Sequence, residues 1–237
     1  MTLYLSKVYI HADICPYSKF PTDRQKMHSF VYSLFGAFAA DNRVLWSDET
    51  ERMCRRMTKP FAGKIALVLS SQPPRIPADA EAWCRLETNT VKPEFLQHHL
   101  YAFTLQANCS FLEKHSGRIK PIKDPDKLMQ WLNRQLQHGG CTLLSDSWEI
   151  TGCSAESFLH INDSQDNPAE NTARRKDKSS ETLSNVSKIY LNIVSFRGVL
   201  CVKDHEAFAK MFSHGLGKAK AYGCGMLQLV PIATELE

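Results

Sequence analysis

The stretch DPDKLMQWLNRQLQHGG (residues 124–140) is the clearest helix in the chain, and its flanks decide the fold. Asp124 is placed to cap it, because a short acidic side chain accepts hydrogen bonds from the free N–H groups of a first turn. Pro125 fits that first turn, and Gly139 or Gly140 can end the helix. Upstream, LYAFTLQANC (100–109) reads as a strand. Downstream, CTLLSDSWEI (141–150) and SFLHI (157–161) are strand candidates. KIYLNIVSFRGVLCV (188–202) reads as a long strand or as a tight hairpin bent at Gly198. DHEAFAKMFSHG (204–215) is a short helix ending at glycine, and GMLQLVP (225–231) is the last strand. The second half thus runs β-α-β-β-α-β.

The first half has the same order. LYLSKVYI (3–10) alternates with period two and predicts a strand. Pro16 and Pro21 break the chain, and Asp23 can cap a helix whose apolar face is Met27, Phe30, Val31, Leu34, Phe35 and Phe38. RVLW (43–46) and GKIALVLSS (63–71) are strands, PADAEAWCR (77–85) predicts a short helix, and LETNTV (86–91) closes a small sheet. The boundary falls near 92–99. The expectation is an α+β chain of two tandem ferredoxin-like (RRM-like, βαββαβ) domains, 1–95 and 96–237. That fold hosts many functions and proves none.

Composition sets bounds on partners. The 237 residues, 43% of them apolar, suffice for one large domain or two small ones with a proper core. The net charge of +4 names no partner, but residues 171–222 hold ten Lys/Arg against four Asp/Glu, a net +6. Such a concentration suits a phosphate backbone, and it also suits a solvated face with a charged loop. No two of the eight cysteines lie within four positions, so there is no CxxC half-site for zinc. Several sit in apolar runs, as in Leu200-Cys201-Val202, and are expected to pack as small hydrophobes. The first ten residues lack the basic start and apolar block of a signal peptide, and no apolar stretch reaches membrane-spanning length. The expected setting is cytoplasmic and reducing, away from membranes. The Asn-x-Ser sites at Asn108, Asn162 and Asn185 then carry no meaning.

Two stretches ask for a function. Between 162 and 185 only Ala169, Ala173 and Leu183 are apolar, which is too little to order the segment alone. It carries ARRKDK (173–178), either a solvated hairpin tip or a basic finger that orders on RNA. HGLGKAKAYGCG (214–225) packs four glycines and two lysines between a helix and a terminal strand. It is no dinucleotide loop, because G-x-G-x-x-G fails at Lys220 and a strand follows, and it has no Gly-Lys-Ser/Thr. Bare backbone there allows close approach, its N–H groups can bind anions, and Lys218 and Lys220 add charge. The alternative is a long turn with solvated lysines.

Across nearly its whole length the chain resembles the CasE family, the repeat-processing endoribonucleases of the CRISPR Cascade complex of subtype I-E. MTLYLSKVYI resembles the family's opening strand and MHSFVYSLF its first helix. YAFTLQANCSFLEKHSGRIKPI resembles its central segment, with Gln106 where the family has Arg and Cys109 where it has Pro. WLNRQL, VSFRGVLCVKDHEAF and HGLGKAKAYGCGMLQLVP resemble its later helix and C-terminal end, the last in both spacing and neighbours.

The resemblance implies two ferredoxin-like domains and cleavage of the CRISPR precursor transcript at the 3′ base of each repeat stem-loop, without metal or other cofactor. The 2′-hydroxyl attacks the adjacent phosphorus and leaves a 2′,3′-cyclic phosphate and a 5′-hydroxyl. It further implies that the protein stays on the 3′ hairpin of the crRNA as a Cascade subunit, in contact with backbone subunits. The family's catalytic histidine matches His28, on the rim of the apolar helix face. A single helix histidine on its own reads as structural; His214 reads as a helix end. One departure stands out: the family's tyrosine three residues before the histidine is Gln25 here, which cannot exchange a proton at useful pH. Tyr17, Tyr32 and Lys26 are candidates to replace it.

For RNA binding the resemblance points to Arg174, Arg175, Lys176 and Lys178 on a basic hairpin spanning about 162–187. It also points to Lys218 and Lys220 beside the glycine loop of Gly215, Gly217, Gly223 and Gly225, and to Arg118, Lys120 and Lys123. Two other readings are open: a crRNA-hairpin-binding Cascade subunit without catalysis, and a general ferredoxin-like interaction or small-molecule-binding protein.

Overall fold

The computed structural model describes residues 2–36, 43–59, 61–113, 117, 119–145, 147–161 and 186–233. The first half supplies β1 (Leu3–His11), α1 (Arg24–Ser33), β2 (Val44–Asp48), α2 (Thr50–Cys54), β3 (Gly63–Ser70) and β4 (Cys84–Val91). Its sheet has the order β2-β3-β1-β4, and every neighbouring pair is antiparallel. The second half supplies β5 (Leu100–Asn108), the small hairpin β6 (Ser110–Leu112) and β7 (Ile119–Pro121), and α3 (Pro125–His138). It continues with β8 (Cys141–Leu143), β9 (Glu149–Ile161), β10 (Val186–Val202), α4 (His205–His214) and β11 (Leu227–Pro231). Its sheet runs β11-β5-β10-β8, with β9 paired to the other stretch of β10. Both orders are those of a ferredoxin-like βαββαβ unit, so the fold is the expected tandem α+β arrangement. A 3-10 turn at Pro93–Leu96 connects the two sheets.

Local chemistry explains the helices. Asp23 accepts from Lys26 N–H at 2.9 Å and starts α1; Asp124 accepts from Lys127 N–H at 3.1 Å and starts α3. The apolar face of α1 buries Met27, Phe30, Val31, Leu34 and Phe35 against Val8, Ile10, Trp46 and Val68; Phe38 lies outside the described residues. The opposite face of that sheet, with Leu45, Leu67 and Leu69, joins a second core with Phe212, Leu216, Met226 and Leu227. The first sheet is therefore covered on both faces, which is why β3 reads IALVL without alternation. Buried Glu49 adds a polar tie between the halves, accepting from Ser47 Oγ, Arg52 Nε and Gln228 Nε2.

Two expectations are corrected and one open alternative is resolved. PADAEAWCR forms one 3-10 turn, Ala78–Ala80, instead of a helix. Cys84 is already paired with Ile10 of β1, and the few residues after Pro77 are too short for a helix. CTLLSDSWEI is two strands, β8 and β9, both on the same edge of β10. Gly198 lies opposite the break, where a Cβ would come within 2.8 Å of Ser147 O. Of the two alternatives for 188–202, the long strand is correct: β10 continues through Gly198. The connection 162–185 between β9 and β10 lies outside the described residues.

All eight cysteines are free thiols, and Cys15, Cys84, Cys109, Cys141 and Cys224 are buried. Burial pushes Cys84, Cys109 and Cys141 up to about 12 and Cys224 up to about 11. The thiolate is the reactive form. Brief iodoacetamide treatment of the native protein at pH 8, read by peptide mass, is expected to label exposed Cys153 and leave these four unmodified. Prompt labelling of Cys224 would contradict the packing described next. No described helix is long and apolar enough to cross a membrane.

Candidate active site

His28 is half-buried on α1, one residue from buried Met27. Its ring packs against Tyr32, one turn later, with centroids 4.3 Å apart. On its other side stands Tyr222, 5.6 Å away. Tyr222 belongs to the glycine stretch near the C-terminus, so the histidine sits at the seam where the first half meets the second. Of the residues considered in place of the family's tyrosine, Tyr32 touches His28, whereas Tyr17 is 87% exposed. Gln25 is half-buried and Lys26 exposed.

The glycine loop is built by close packing. It follows α4, passes through a 3-10 turn at Lys220–Tyr222 and enters β11. Gly223 has φ +76, and a Cβ there would lie 2.7 Å from the Trp46 ring and 2.9 Å from Arg24 Nη1. Gly225 has φ +83, and its Cβ would lie 2.2 Å from Leu216 O. Only glycine combines that backbone with that proximity. Trp46 Nε1–H donates to Ala221 O at 2.8 Å, pinning the turn to β2. The N–H groups are largely used inside the loop: Leu216 N–H donates to Gly225 O, Gly223 N–H to Lys220 O and Cys224 N–H to Ala219 O. Gly225 N–H donates to Gln106 O on β5. These four donors are spent on carbonyls of the loop and of β5.

The loop also carries basic side chains. Lys218 is exposed, and its backbone bridges to Asn108. Lys220 is half-buried; burial and then the charge of Arg43 hold its ammonium below the usual lysine value. His214 is likewise pushed below the usual histidine range, by burial first and then by Arg43, with Lys210 and Lys220 adding repulsion. Arg43, Lys210 and Lys220 therefore form a positive neighbourhood around His214 that an incoming phosphate would relieve.

The other expected contacts are distributed. Lys120 stands on β7 and pairs with Glu113; Lys123 is exposed before α3. This region is fixed by Asn192, whose Nδ2 donates to Cys109 O at 3.0 Å and to Ile122 O at 3.2 Å. Arg118 and the finger residues Arg174, Arg175, Lys176 and Lys178 lie outside the described residues. The two strands that flank residues 162–185 are described, and they form an arm. Residues 186–192 of β10 pair with β9 beyond the end of β5. One face of the arm, with Phe158, Ile189, Leu191 and Ile193, packs on Ala219, Tyr222 and Cys224 of the glycine loop.

Sequence reading missed three members of this assembly. Arg24 Nε–H donates to Glu156 Oε2 at 2.8 Å, and Arg24 Nη1–H donates to Tyr222 O at 2.9 Å. Only Tyr222 carried any signal, as the lone aromatic among the glycines. Two cavities flank the assembly. A polar one of about 130 Å³ at the start of α1 is lined by Asp23, Arg24, Trp46, Asp48, Lys64 and Glu156. A larger apolar cleft of about 760 Å³ between the sheets, with Leu5, Val91, Phe95, Phe103, Phe212 and Leu229, does not include His28.

Comparison with known proteins identifies the family and the fold. The chain is 27% identical over 130 residues to the CRISPR-associated endoribonuclease Cse3 of Thermus thermophilus, a match spanning 54% of each chain. Its fold is similar to a structure of Thermus thermophilus Cse3 bound to an RNA representing a pre-cleavage complex, with TM-score 0.72 and 19% identity, covering 98% of this chain and 100% of that one. It is also similar to the CRISPR-associated protein Cas6e of Escherichia coli K-12, with TM-score 0.58 and 21% identity over 97% and 100% of the two chains. A chain of a CRISPR RNA-guided surveillance complex matches with TM-score 0.58 and 16% identity over 97% and 100%. The family model described as CRISPR associated protein matches residues 3–231, and the chain belongs to that family, as its resemblance to CasE implied.

Proposed function

We propose that the protein is a metal-independent endoribonuclease that binds the stem-loop of a CRISPR repeat in the precursor transcript and cuts at the 3′ base of the stem. We further propose that it stays on the 3′ hairpin of the product as a Cascade subunit. The observation that carries this reading is the position of His28 on α1, in ring contact with Tyr222 of the glycine loop, in a chain of a CRISPR-associated family. The relative named as an endoribonuclease and the likeness to RNA-bound structures support the substrate class; the likeness to a surveillance-complex chain supports the assembly.

The chemistry needs two proton transfers and no redox step. The 2′-oxygen forms a bond to phosphorus as its proton leaves, and the bond from phosphorus to the 5′-oxygen breaks as that oxygen takes a proton. Imidazole suits either transfer, since its pKa lies near neutrality. We assign one of them to His28. Gln25 is restricted to hydrogen bonding of a phosphate oxygen or water. The phenols of Tyr32 and Tyr222 flank His28 and are the nearest ring groups to complement it. Lys218, Lys220, Lys120, Lys123 and Arg118 are assigned to backbone phosphates, and the finger at Arg174–Lys178 to the stem. A-form RNA is read mostly by shape, so recognition rests on the hairpin's form.

Gln25 favours one alternative, a hairpin-holding subunit that does not cut. Purified protein mixed with its host's repeat hairpin in EDTA separates the two: cleavage of that hairpin supports the proposal, and tight binding without cleavage supports the alternative. Weak binding that does not respond to salt overturns both. Binding itself is expected to fall steeply with salt, and Lys220→Ala is expected to flatten the log–log salt slope by about 1. An unchanged slope would remove Lys220 from the phosphate contacts.

A further inference from the structure

Arg24 commits one guanidinium to two acceptors, the Glu156 carboxylate and the Tyr222 carbonyl. Its side chain is only 13% exposed, so it is enclosed and occupied, unlike a phosphate ligand. The two bonds span 132 and 198 residues of sequence and join three elements: α1, the arm strand β9 and the glycine loop. Arg24 and His28 are four residues apart on α1 and share a face. Glu156 and Phe158 are two apart on β9 and also share a face. Phe158 packs on the Tyr222 ring at 5.0 Å, and Tyr222 packs on His28 at 5.6 Å. The contacts close a ring that runs from Arg24 to Glu156, along β9 to Phe158, across to Tyr222, then to His28 and back along α1.

We infer that Arg24 is a positioning residue for His28: it clamps the base of the arm and the Tyr222 ring to the catalytic helix. RNA held by the arm then meets the imidazole in one geometry. The inference rests on the reading of the chain as a hairpin-cleaving ribonuclease. Glu156 completes the clamp and keeps the guanidinium from turning toward the substrate's phosphates. The buried Cys224 thiol, one residue past Gly223, is raised chiefly by burial, with Arg24 lowering and Glu156 raising it in turn.

The test uses the full chain and the repeat hairpin, with a 2′-deoxy version at the scissile position for affinity. A misplacement of about 1 Å by a residue outside the chemistry costs roughly 100-fold. Arg24→Ala is therefore expected to slow single-turnover cleavage by about 10- to 100-fold, with affinity for the deoxy hairpin unchanged. A phosphate ligand would do the opposite, raising Kd and flattening the salt slope by about 1. Glu156→Ala should show the same loss of rate, and the double variant should be no slower than the worse single one, because both act through one contact. If Arg24→Ala fails to fold, Glu156→Gln keeps the volume, removes the ion pair and is expected to slow cleavage without weakening binding. Equal losses of rate and affinity, or no loss of rate, overturn the inference. Wild type that leaves the hairpin intact overturns the ribonuclease reading and the inference with it; wild type that cuts no faster than Arg24→Ala overturns the inference alone.

Discussion

Replacing His28 with alanine is expected to slow hairpin cleavage by about 10²- to 10⁴-fold, the usual contribution of a positioned proton-transfer group. Affinity for the hairpin should persist, since RNA binding is assigned to lysines and arginines elsewhere. The substitution also removes a ring packed between Tyr32 and Tyr222, so the fold must be checked. His28 is half-buried at a seam, and the loss of stability should be small beside the loss of rate. His28→Gln fills more of the space without a titrating group and separates the two effects. If it cuts as slowly as His28→Ala while melting like wild type, the proton transfer is the cause. If both variants cut at the wild-type rate, the reaction belongs to another residue, with Tyr222 the first to examine.

The second large effect is expected at Gly223. Its φ of +76 is left-handed, and an added Cβ would sit 2.7 Å from the Trp46 ring and 2.9 Å from Arg24 Nη1. Left-handed backbone costs a non-glycine residue about 1–2 kcal/mol. Overpacking adds about 1–3 kcal/mol, because Trp46 is fully buried and has nowhere to move. Gly223→Ala should therefore lose about 3 kcal/mol, a large part of a typical stability of about 5–15 kcal/mol. Displacing Trp46 would also weaken its bond to Ala221 O and shift Tyr222 from His28. Cleavage should fall even at temperatures where the variant is folded. Gly36, with φ +54 and no atom within 4 Å of its virtual Cβ, is the control: Gly36→Ala carries the conformational cost without the clash. Denaturant unfolding of both variants reads the difference, and equal losses would show that packing at Gly223 is unimportant.

The fold was legible where the signals were local. Asp124, Pro125 and Gly139 delimit α3 within its own residues, and β1 alternates because Val8 and Ile10 are buried against α1 while Lys7, Tyr9 and His11 on the other face are only half-buried. Signals failed where distant pairing decided the outcome. PADAEAWCR has helical composition, but the register of Cys84 opposite Ile10 leaves room for one turn. CTLLSDSWEI looks continuous, and the break shows only in how β8 and β9 pair with separate stretches of β10, where Gly198 leaves room for Ser147 and Trp148.

The site divides in the same way. The glycine loop stands out by its own composition, whereas His28 is singled out only by the family resemblance. The role of those glycines, packing against Trp46 and Leu216, depends on neighbours that the motif does not contain. Arg24 and Glu156 are ordinary charged residues in sequence, and their partners stand 132 and 198 positions away. No local pattern encodes such a clamp.

The central claim is that this chain cuts RNA by attack of a 2′-hydroxyl with His28 in the proton path. The most direct measurement compares two repeat hairpins that differ by one oxygen, the 2′-hydroxyl at the scissile nucleotide, incubated with wild-type protein in EDTA. Product ends are identified by mass. The account predicts cleavage of the all-ribose hairpin to a 2′,3′-cyclic phosphate and a 5′-hydroxyl, with the deoxy hairpin bound but intact. Cleavage of the deoxy hairpin, or products bearing a 5′-phosphate, would contradict it.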